Sequence, residues 1–322
     1  MLKQSFAFLL LCCALVSPAA WSEEASAEVL LDKMKTAFNS LNYDLSYVEL
    51  EKGRITPMRY SHGVVDGVST GHLLSLNGNP REYLRRGDVT SFFESEQQSY
   101  SLKSVNIPGL LFKLMTTELT DVEKNSYEAV FVGGRSRITG RVSQVVRVVP
   151  KDKFRFGYLL WIDMKTSLPL RIDMIQNNGE VVYQIMAVSL YQFPSVTPWI
   201  DQMSKTKMPT ILPMRQSSEI KASEWNCTWL PSGFSMISSN KHQVAGIGQE
   251  VSYLQFSDGL VDVSVYINTD PESGSLAQGL GVSGQISLQS KITDDVEIVV
   301  VGEIPVITAK RIADSVIRNV AR

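Results

Sequence analysis

Few side chains in this sequence have the types and spacing that usually perform catalysis or bind metal ions. Its three histidines, His62, His72 and His242, lie in separate segments, and none belongs to the HExxH spacing that brings two imidazoles to one helix face around zinc. Each is therefore predicted to be a surface or loop histidine in a turn-rich segment. No metal site and no cofactor follow from these residues.

Two glycine-containing patterns resemble functional motifs but lack the residues that such motifs need around them. The order of residues around Ser283 differs from the GxSxG turn that exposes a nucleophilic serine. Gly279, Gly281 and Gly284 satisfy GxGxxG, but that fingerprint binds a pyrophosphate only between a strand and the helix that follows it. The residues after Gly284 are predicted to be extended, so the segment is interpreted as a loop.

Paired carboxylates are the remaining candidates for catalysis. Glu94 with Glu96, and Asp294 with Asp295, are close in sequence, but nothing around them would hold two carboxyl groups at the separation that a glycosidase uses. They are interpreted as solvated charges. The chain is therefore predicted not to be an enzyme, and an exported hydrolase is the least favoured alternative.

A positively charged stretch and an apolar stretch are the clearest signs of ligand binding. Seven basic residues between 135 and 155 oppose the single acid Asp152. In the predicted strand from 138 to 149, even positions hold Ile138, Val142, Val146 and Val148, while Arg141 and Arg147 fall on odd positions, as do Arg135 and Arg137 before them. This cationic face is either the solvated side of a half-buried sheet or a site for anionic groups. The stretch Asn106–Met115 is predicted to be a short helix or lip that is either plain core or an apolar rim for a lipid or peptide.

These stretches give three sets of candidate binding residues. The apolar wall or rim for a lipid is assigned to Phe112, Leu114, Met115, Trp161 and Leu170. Lipid phosphate is assigned to Arg135, Arg137 and Arg141. A protein partner is assigned to Trp225, Trp229 and Phe234, because aromatic side chains often anchor interfaces.

The elements that must position these residues are mostly strands. Ser26 can cap a first helix whose apolar residues recur every three or four positions up to Leu41. Strand patterns joined by two to five turn residues then continue to Tyr191. Gly133 with Gly134 is one of the predicted turns, and Asn178 with Gly179 is the sharpest hairpin signal. Such short connections favour an antiparallel meander, because parallel pairing needs crossovers of about a dozen residues.

The chain is long enough for two domains. Prolines at 194, 198, 209 and 213 predict a linker over residues 196–220, between a domain at 23–195 and a smaller α+β domain at 221–322. In the smaller domain, Ser257, Asp258 and Gly259 predict a hairpin, and the chain closes with a helix begun near Pro305 whose apolar side runs from Ile307 to Val320. The overall fold class is therefore α+β.

The first residues predict export. Lys3 precedes the apolar run Phe6–Val16, and small residues lead to Ser22, which is typical of a signal peptide over 1–22. The run is shorter than the about twenty residues that cross a bilayer, so the chain is not expected to be membrane-embedded. Cys12 and Cys13 leave a lipoprotein signal as the alternative.

Cleavage after Ser22 would leave Cys227 without an intrachain disulfide partner. The net charge of −2 argues against nucleic-acid binding.

Several segments, in order along the chain, resemble the MucB/RseB family of sigma-E envelope-stress regulators. In the first domain they are LNYDLS (41–46), GRSRITGRVSQVVRVVPKD (134–152) and YLLWIDMKTSLPLRIDM (158–174). In the second they are TWLPSGF (228–234), FSDGL (256–260) and VGEIPVITAKRIADSV (301–316). The likeness covers nearly the whole chain that would remain after cleavage.

The resemblance implies an unclosed antiparallel barrel wrapped on helices, similar to the lipoprotein carriers LolA, LolB and LppX, followed by a smaller α+β domain. It also implies a periplasmic negative regulator that binds the periplasmic region of the anti-sigma factor RseA and shields it from site-one proteolysis. Lipopolysaccharide or mislocalised lipoprotein would enter the cavity and release that partner. A lipid or lipoprotein carrier of the LolA class is the alternative, although the second domain favours regulation. Whether the chain forms a homo-oligomer stays open.

Overall fold

The structure is a computed structural model that describes residues 26–95, 98–104, 106–117, 126–213, 223–244, 250–271, 274–279, 285–293 and 295–319. The predicted signal peptide with its cleavage site, Gly281, Gly284, Glu96 and Asp294 lie outside the described residues. Within these ranges, no helix is both long enough and apolar enough to cross a membrane.

The first domain is one large antiparallel sheet. Its strands are β1 (Asn42–Glu51), β2 (Arg54–Val65), β3 (Val68–Ser75), β4 (Arg81–Arg86), β5 (Val89–Glu94), β6 (Tyr100–Leu102), β7 (Tyr127–Ile138), β8 (Arg141–Pro150), β9 (Gly157–Asp163), β10 (Pro169–Ile175) and β11 (Val181–Phe193). They lie in the order β6-β5-β4-β3-β2-β1-β11-β10-β9-β8-β7, so β6 and β7 are the two edges and the barrel is unclosed. The predicted antiparallel, unclosed sheet is confirmed.

The turn between β7 and β8 differs from the sequence-based expectation. The glycine pair at 133–134 was expected to separate two strands, but β7 continues through it with a shift of register between Val132 and Arg135. The chain reverses instead at Thr139 and Gly140, which have φ values of 42° and 77°. Two consecutive positive φ angles suit a tight hairpin. The stretch predicted as one strand is therefore split between two.

Two helices fill the concave side of the sheet. Helix α1 (Ala27–Ser40) begins where the Ser26 hydroxyl accepts a hydrogen bond from the Val29 amide at 3.3 Å, as the sequence predicted. Its Phe38 ring stacks on Tyr60 of β2 with ring centroids 5.4 Å apart. Helix α2 (Leu110–Thr116) packs beside it. Burying a large apolar side chain of this kind contributes roughly 1.5–3 kcal/mol, so these helices stabilise the curved sheet.

Part of the stretch predicted as a linker is helical. Helix α3 (Pro198–Lys205) has Thr197 as its cap and proline in its first turn, where the missing amide hydrogen costs nothing. It lies against β2 and β3. Further on, the Leu212 amide donates to the Ser101 carbonyl at 2.8 Å. The described chain after β11 therefore packs on the first domain as far as residue 212.

The second domain has a smaller antiparallel sheet. Its strands β13 (Ser235–Gln243), β14 (Glu250–Ser257), β15 (Asp262–Asn268), β16 (Ser287–Thr293) and β17 (Val296–Gly302) lie in the order β13-β14-β15-β17-β16. Helix α4 (Leu276–Gly279) contacts β17, and helix α5 (Val306–Asp314) packs on β16 and β17. A separate pair joins β12 (Trp225–Cys227) to β18 (Val316–Arg318).

The last helix is shorter than its apolar pattern predicted. The expected apolar side ran from Ile307 to Val320, but α5 ends at Asp314 and residues 316–318 form β18. Ile307 is exposed whereas Ile312 is fully buried. Val320 lies outside the described residues. Pairing with β12 outweighs the helical periodicity here because the backbone groups of both short strands gain hydrogen-bond partners.

Candidate ligand-binding groove and domain interface

The apolar residues assigned to a cavity wall fill the concave side of the sheet. Phe112, Leu114 and Met115 of α2 are each at most 3% exposed, and Leu170 of β10 is 1% exposed. The Phe112 ring meets the Tyr60 ring edge-on, with centroids 4.9 Å apart. These side chains occupy the interior themselves. A ligand therefore reaches Phe112, Leu114 and Met115 only if α2 moves.

Trp161 lies on the outer face of the sheet, which corrects its expected place on the cavity wall. Its strand neighbours Leu160 and Ile162 are buried in the core, and successive side chains of a strand point to opposite faces. The Arg171 guanidinium covers the Trp161 ring at 4.4 Å from its centroid and pairs with the buried Asp173 carboxylate. Trp161 thus packs under an ion pair.

The three arginines assigned to phosphate are divided between two faces. Arg135 stands opposite Gln144, and residues directly opposite in an antiparallel pair share a face. Arg137 is two residues further along β7 and shares that face. Arg141 lies three residues from Gln144 in β8 and points to the other face, where it donates to Asp163 at 2.7 Å. The turn at 139–140 causes this division.

Arg141 is held in an internal ion pair. The Asp163 carboxylate is almost fully buried and also accepts hydrogen bonds from the Thr166 amide at 3.0 Å and the Thr166 hydroxyl at 2.6 Å. Burial raises the pKa of Asp163, but the hydrogen bonds from Arg141 and Thr166 outweigh burial and leave the pKa below its ordinary value. Asp163 therefore stays ionised at neutral pH and neutralises Arg141.

An open groove lies between α1 and strands β7 to β9. It has a volume of about 210 Å³, with the buried Ile162 side chain at its floor and Leu30 of α1 along one wall. Phe131 and Met164 also line it, and they are 44% and 50% exposed. Exposed apolar side chains beside a hollow are typical of a site for an apolar ligand.

Two exposed basic residues lie beside this groove. Lys33 of α1 lines it, and Arg135 stands opposite Gln144, which lines it as well. Within the part of the chain that the structure describes, neither side chain forms an ion pair. The sequence indicated Arg135 but not Lys33, because Lys33 is brought to the groove only by the packing of α1 on the sheet.

Arg155, between β8 and β9, joins the two domains. It is 1% exposed, and its Nε donates to Asp258 of the second domain at 2.7 Å. It also donates to the Asp152 carboxylate and to the Ser232 carbonyl. The Phe234 ring lies 4.9 Å from its guanidinium carbon. Arg155 is therefore a buried cation whose charge and hydrogen bonds are satisfied from both sides of the interface.

The aromatic residues assigned to a protein partner are engaged within the chain itself. Trp229 packs edge-on against Phe154 with centroids 4.9 Å apart, and the Arg311 guanidinium lies 4.0 Å from the Trp229 centroid. Trp225 is buried in the β12–β18 pair, and Phe234 covers Arg155. Trp229 and Phe234 thus anchor an interface, but it is the one between the two domains.

A larger cleft opens between the domains. Its volume is about 780 Å³, and its walls include Phe156 and Val182 of the first domain and Leu288 of the second. Val306 and Ile307 of α5 also line it and are 60% and 63% exposed. Strand β16, at the edge of the second sheet, begins in its wall. The cleft therefore offers apolar side chains next to a sheet edge.

The histidines are not in the places expected from the sequence. His62 and His72 are both buried on neighbouring strands, because β2 and β3 run through segments that had been interpreted as turns. His62 contacts the Leu41 carbonyl at 2.6 Å and the Ser69 hydroxyl at 2.8 Å. His72 accepts a hydrogen bond from the Trp199 indole at 3.2 Å. These contacts hold α1 and α3 on the sheet.

His242 and Cys227 also pack against other residues of the chain. His242 lies on β13, and its ring stacks on Tyr253 with centroids 4.1 Å apart. Cys227 is buried, and burial raises the pKa of its thiol to about 12 despite a hydrogen bond with Ser315. Such a thiol is unreactive at neutral pH. In the described ranges, no group of three or more His, Cys, Asp or Glu side chains could hold a metal ion.

Comparison with known proteins accounts for both domains. The MucB/RseB N-terminal domain matches residues 26–212, and the MucB/RseB C-terminal domain matches residues 219–317. The sigma-E factor regulatory protein RseB of Escherichia coli K12 is 32% identical over 312 residues, which cover 97% of this chain and 96% of that protein. The sigma factor AlgU regulatory protein MucB of Pseudomonas aeruginosa is 26% identical, with 92% of each chain covered.

A solved structure shares the fold. A chain in the complex structure of Pseudomonas aeruginosa MucA/MucB superposes with a TM-score of 0.69 at 22% identity, covering 92% of this chain and 99% of that chain. The agreement extends through the unclosed sheet and the smaller second domain. From both domain matches and the similarity to RseB, the chain belongs to the MucB/RseB family.

Proposed function

We propose that this chain is a periplasmic negative regulator of the sigma-E envelope-stress response. In this proposal it binds the periplasmic region of an anti-sigma factor of the RseA type and shields it from site-one proteolysis. The observation that carries the proposal is the similarity to sigma-E factor regulatory protein RseB over 97% of the chain, through both domains. The solved MucA/MucB complex further supports a protein partner.

The interdomain cleft is our candidate for the partner site. Val306 and Ile307 expose apolar side chains there, next to the start of edge strand β16. An extended peptide could pair with such an edge and place alternate side chains in the cleft. This site replaces Trp225, Trp229 and Phe234 as the candidate anchors, since their rings are already covered from within the chain.

The groove beside α1 is our candidate for the lipid signal. Acyl chains would contact Leu30, Phe131 and Ile162, while Lys33 and Arg135 would meet the phosphate. Apolar burial contributes roughly 25 cal/mol per Å², so a chain that passes from the groove into the barrel gains affinity with each methylene. Phe112, Leu114, Met115 and Leu170 line the interior that such a chain would enter.

Release of the partner requires that lipid and partner prefer different conformations. A ligand shifts an equilibrium only by its differential affinity for two states. In this structure α2 closes the interior, so lipid would favour a state with α2 displaced. The partner would favour the closed state. Lipopolysaccharide and mislocalised lipoprotein would both favour the state with α2 displaced, because each carries acyl chains that would enter the interior.

Proteolysis provides a direct test of the regulatory role. The periplasmic segment of the anti-sigma factor is incubated with the site-one protease, with and without the mature chain, and the cleavage rate is measured. We expect cleavage to slow by at least about tenfold once the chain exceeds its dissociation constant. Unchanged cleavage at saturating concentrations would overturn the proposal. It would favour the second candidate, a lipid or lipoprotein carrier of the LolA class, which the unclosed sheet and its groove also suit.

A further inference from the structure

Helix α2 contacts both domains. On one side its Phe112 ring contacts Phe38 of α1 at 5.9 Å and Tyr60 of the sheet at 4.9 Å between centroids. The C-terminal end of α2 is hydrogen-bonded to α1, since Lys35 donates to the Thr117 carbonyl and Asn39 donates to the Met115 carbonyl at 3.4 Å. The helix is therefore docked firmly into the first domain.

The residue after Phe112 reaches in the other direction. Lys113 Nζ lies 3.0 Å from Glu303 Oε2 and 3.9 Å from Asp262 Oδ2, both in the second domain. Its side chain is 25% exposed and that of Glu303 is 16% exposed. At this degree of burial the ion pair is only partly screened by solvent. Lys113 thus links the helix that fills the barrel to the neighbouring domain.

The acceptors of Lys113 lie at a junction of the second domain. Asp262 begins β15 and Glu303 directly follows the end of β17, three residues before α5 begins. Glu303 also accepts a hydrogen bond from Gln285 at 3.4 Å. Gln285 lines the interdomain cleft, as do the first residues of α5. A change at Glu303 is therefore transmitted to the walls of the cleft by direct contact.

We infer that α2 is a latch that couples occupancy of the barrel to the position of the second domain. Phe112 cannot leave the core unless the helix moves, and helix movement separates Lys113 from Glu303 and Asp262. The part of this inference that concerns ligands depends on the proposed function. The latch itself is a property of the free protein, because its contacts lie within one chain.

Arg155 and Lys113 have different places in this mechanism. Arg155 is 1% exposed, bonded to Asp258, Asp152 and Ser232, and belongs to the segment between β8 and β9 rather than to the helix that fills the barrel. None of its hydrogen-bond partners lies in α2. Together with the Thr308 hydroxyl, which donates to the Phe154 carbonyl at 2.9 Å, these contacts keep the two domains joined when Lys113 is released.

Hydrogen exchange tests the latch without any ligand. The amides of Lys113 and Thr117 bond to the Gly109 and Lys113 carbonyls at 3.1 and 3.0 Å, so their exchange reports the opening of α2. We expect Lys113→Glu and Glu303→Lys each to speed this exchange by about fivefold or more, because each places like charges together. The double variant should restore part of the protection, since it recreates the closer pair in reverse while the new carboxylate at position 113 still faces Asp262.

The matched control is Lys103→Glu. Lys103 belongs to the first domain and pairs with Asp88 at 3.8 Å, with both side chains more than two-thirds exposed. Its reversal should leave α2 exchange unchanged. Equal exchange in wild type, Lys113→Glu and Glu303→Lys would overturn the latch. So would α2 exchange in the double variant that is as fast as in Lys113→Glu, provided that the thermal unfolding of the double variant matches that of wild type.

A second measurement adds dodecyl phosphate below its micellar concentration as a probe of the barrel. We expect it to speed exchange both in α2 and in residues 302–306 of the wild-type chain. In Lys113→Glu the response at 302–306 should be lost while the response in α2 persists. A response at 302–306 that is unchanged in this variant would overturn the coupling. Absence of any binding by the probe would count against the proposed lipid site, and the ligand-free exchange result would still decide the latch.

Discussion

Arg155 and Asp258 form a buried ion pair across the domain interface, with Arg155 Nε 2.7 Å from Asp258 Oδ2 and both side chains no more than 1% exposed. Asp258 also accepts hydrogen bonds from the Leu260 and Val261 amides at 3.0 and 2.8 Å, which shape the turn between β14 and β15. One carboxylate therefore organises a hairpin of the second domain and holds the first domain against it.

Removing Asp258 should destabilise the whole chain. Asp258→Ala leaves the Arg155 charge with fewer partners in the interface, and breaking a buried pair costs about 3–5 kcal/mol. Urea unfolding at neutral pH should show this loss in the free energy of unfolding. Arg318→Ala is the control, because its pair with Glu224 is exposed on both sides and should contribute less than about 1 kcal/mol. Equal small losses of stability in both variants would show that the ion pair of Arg155 with Asp258 does not hold the two domains together.

Arg135 should contribute to the binding of anionic amphiphiles, whereas Arg141 should contribute to stability. Arg135→Ser is expected to weaken binding of dodecyl phosphate by about tenfold, as removal of a charged hydrogen-bond donor typically does. Arg147→Ser is the control, since Arg147 is exposed on β8 away from the groove residues. Titration calorimetry measures the affinity of both variants for dodecyl phosphate. An equal effect of the two substitutions would place the phosphate elsewhere.

Ile307 should matter for partner binding. Ile307→Asp puts a charge on an exposed side chain in the wall of the interdomain cleft, and we expect affinity for the anti-sigma segment to fall by at least about tenfold. Ile237→Asp is the matched control, because Ile237 is also exposed but lies on β13 at the opposite edge of the sheet and does not line the cleft. Surface plasmon resonance separates these outcomes. If Ile307→Asp binds the anti-sigma segment with unchanged affinity, the partner does not bind in the cleft.

Acidification should destabilise the fold through His62. Burial lowers the pKa of His62 from 6.5 to about 4, although its hydrogen bond with the Leu41 carbonyl acts in the opposite direction. The unfolded chain therefore takes up a proton near pH 6.5 and the folded chain does so only near pH 4. Stability should fall as the pH decreases through this window, by about 3 kcal/mol in total.

The variant His62→Asn isolates this contribution. Asparagine can still donate to the Leu41 carbonyl but does not titrate. The free energy of unfolding of wild type, measured from pH 7 to pH 4, should decline more steeply than that of the variant. Parallel declines would mean that His62 is not the titrating group.

Much of the fold was predictable from local signals. The Ser26 cap, the turn at Asn178 and Gly179 and the hairpin around Gly259 lie where the sequence places them, because caps and tight turns depend on a few adjacent residues. Strands β2 and β3 were missed. Their buried positions include His62, Thr70 and His72, and polar residues at core positions obscure the alternation that indicates a strand.

The candidate site was less predictable because it depends on which surfaces meet. Trp229 and Phe234 were recognised as interface aromatics, but only the tertiary structure shows that they bind the chain's own Phe154 and Arg155. Lys33 and Lys113 carry no local signal at all. Each becomes informative only after helix packing brings it beside the groove or the second domain.

The central claim is that lipid and protein partner compete through one conformational equilibrium. The affinity of the mature chain for the periplasmic anti-sigma segment should be measured by calorimetry with increasing lipopolysaccharide. The account predicts a dissociation constant that rises at least about fivefold and then reaches a plateau, as coupling between two distinct sites requires. An affinity that stays constant while lipopolysaccharide is demonstrably bound would contradict it.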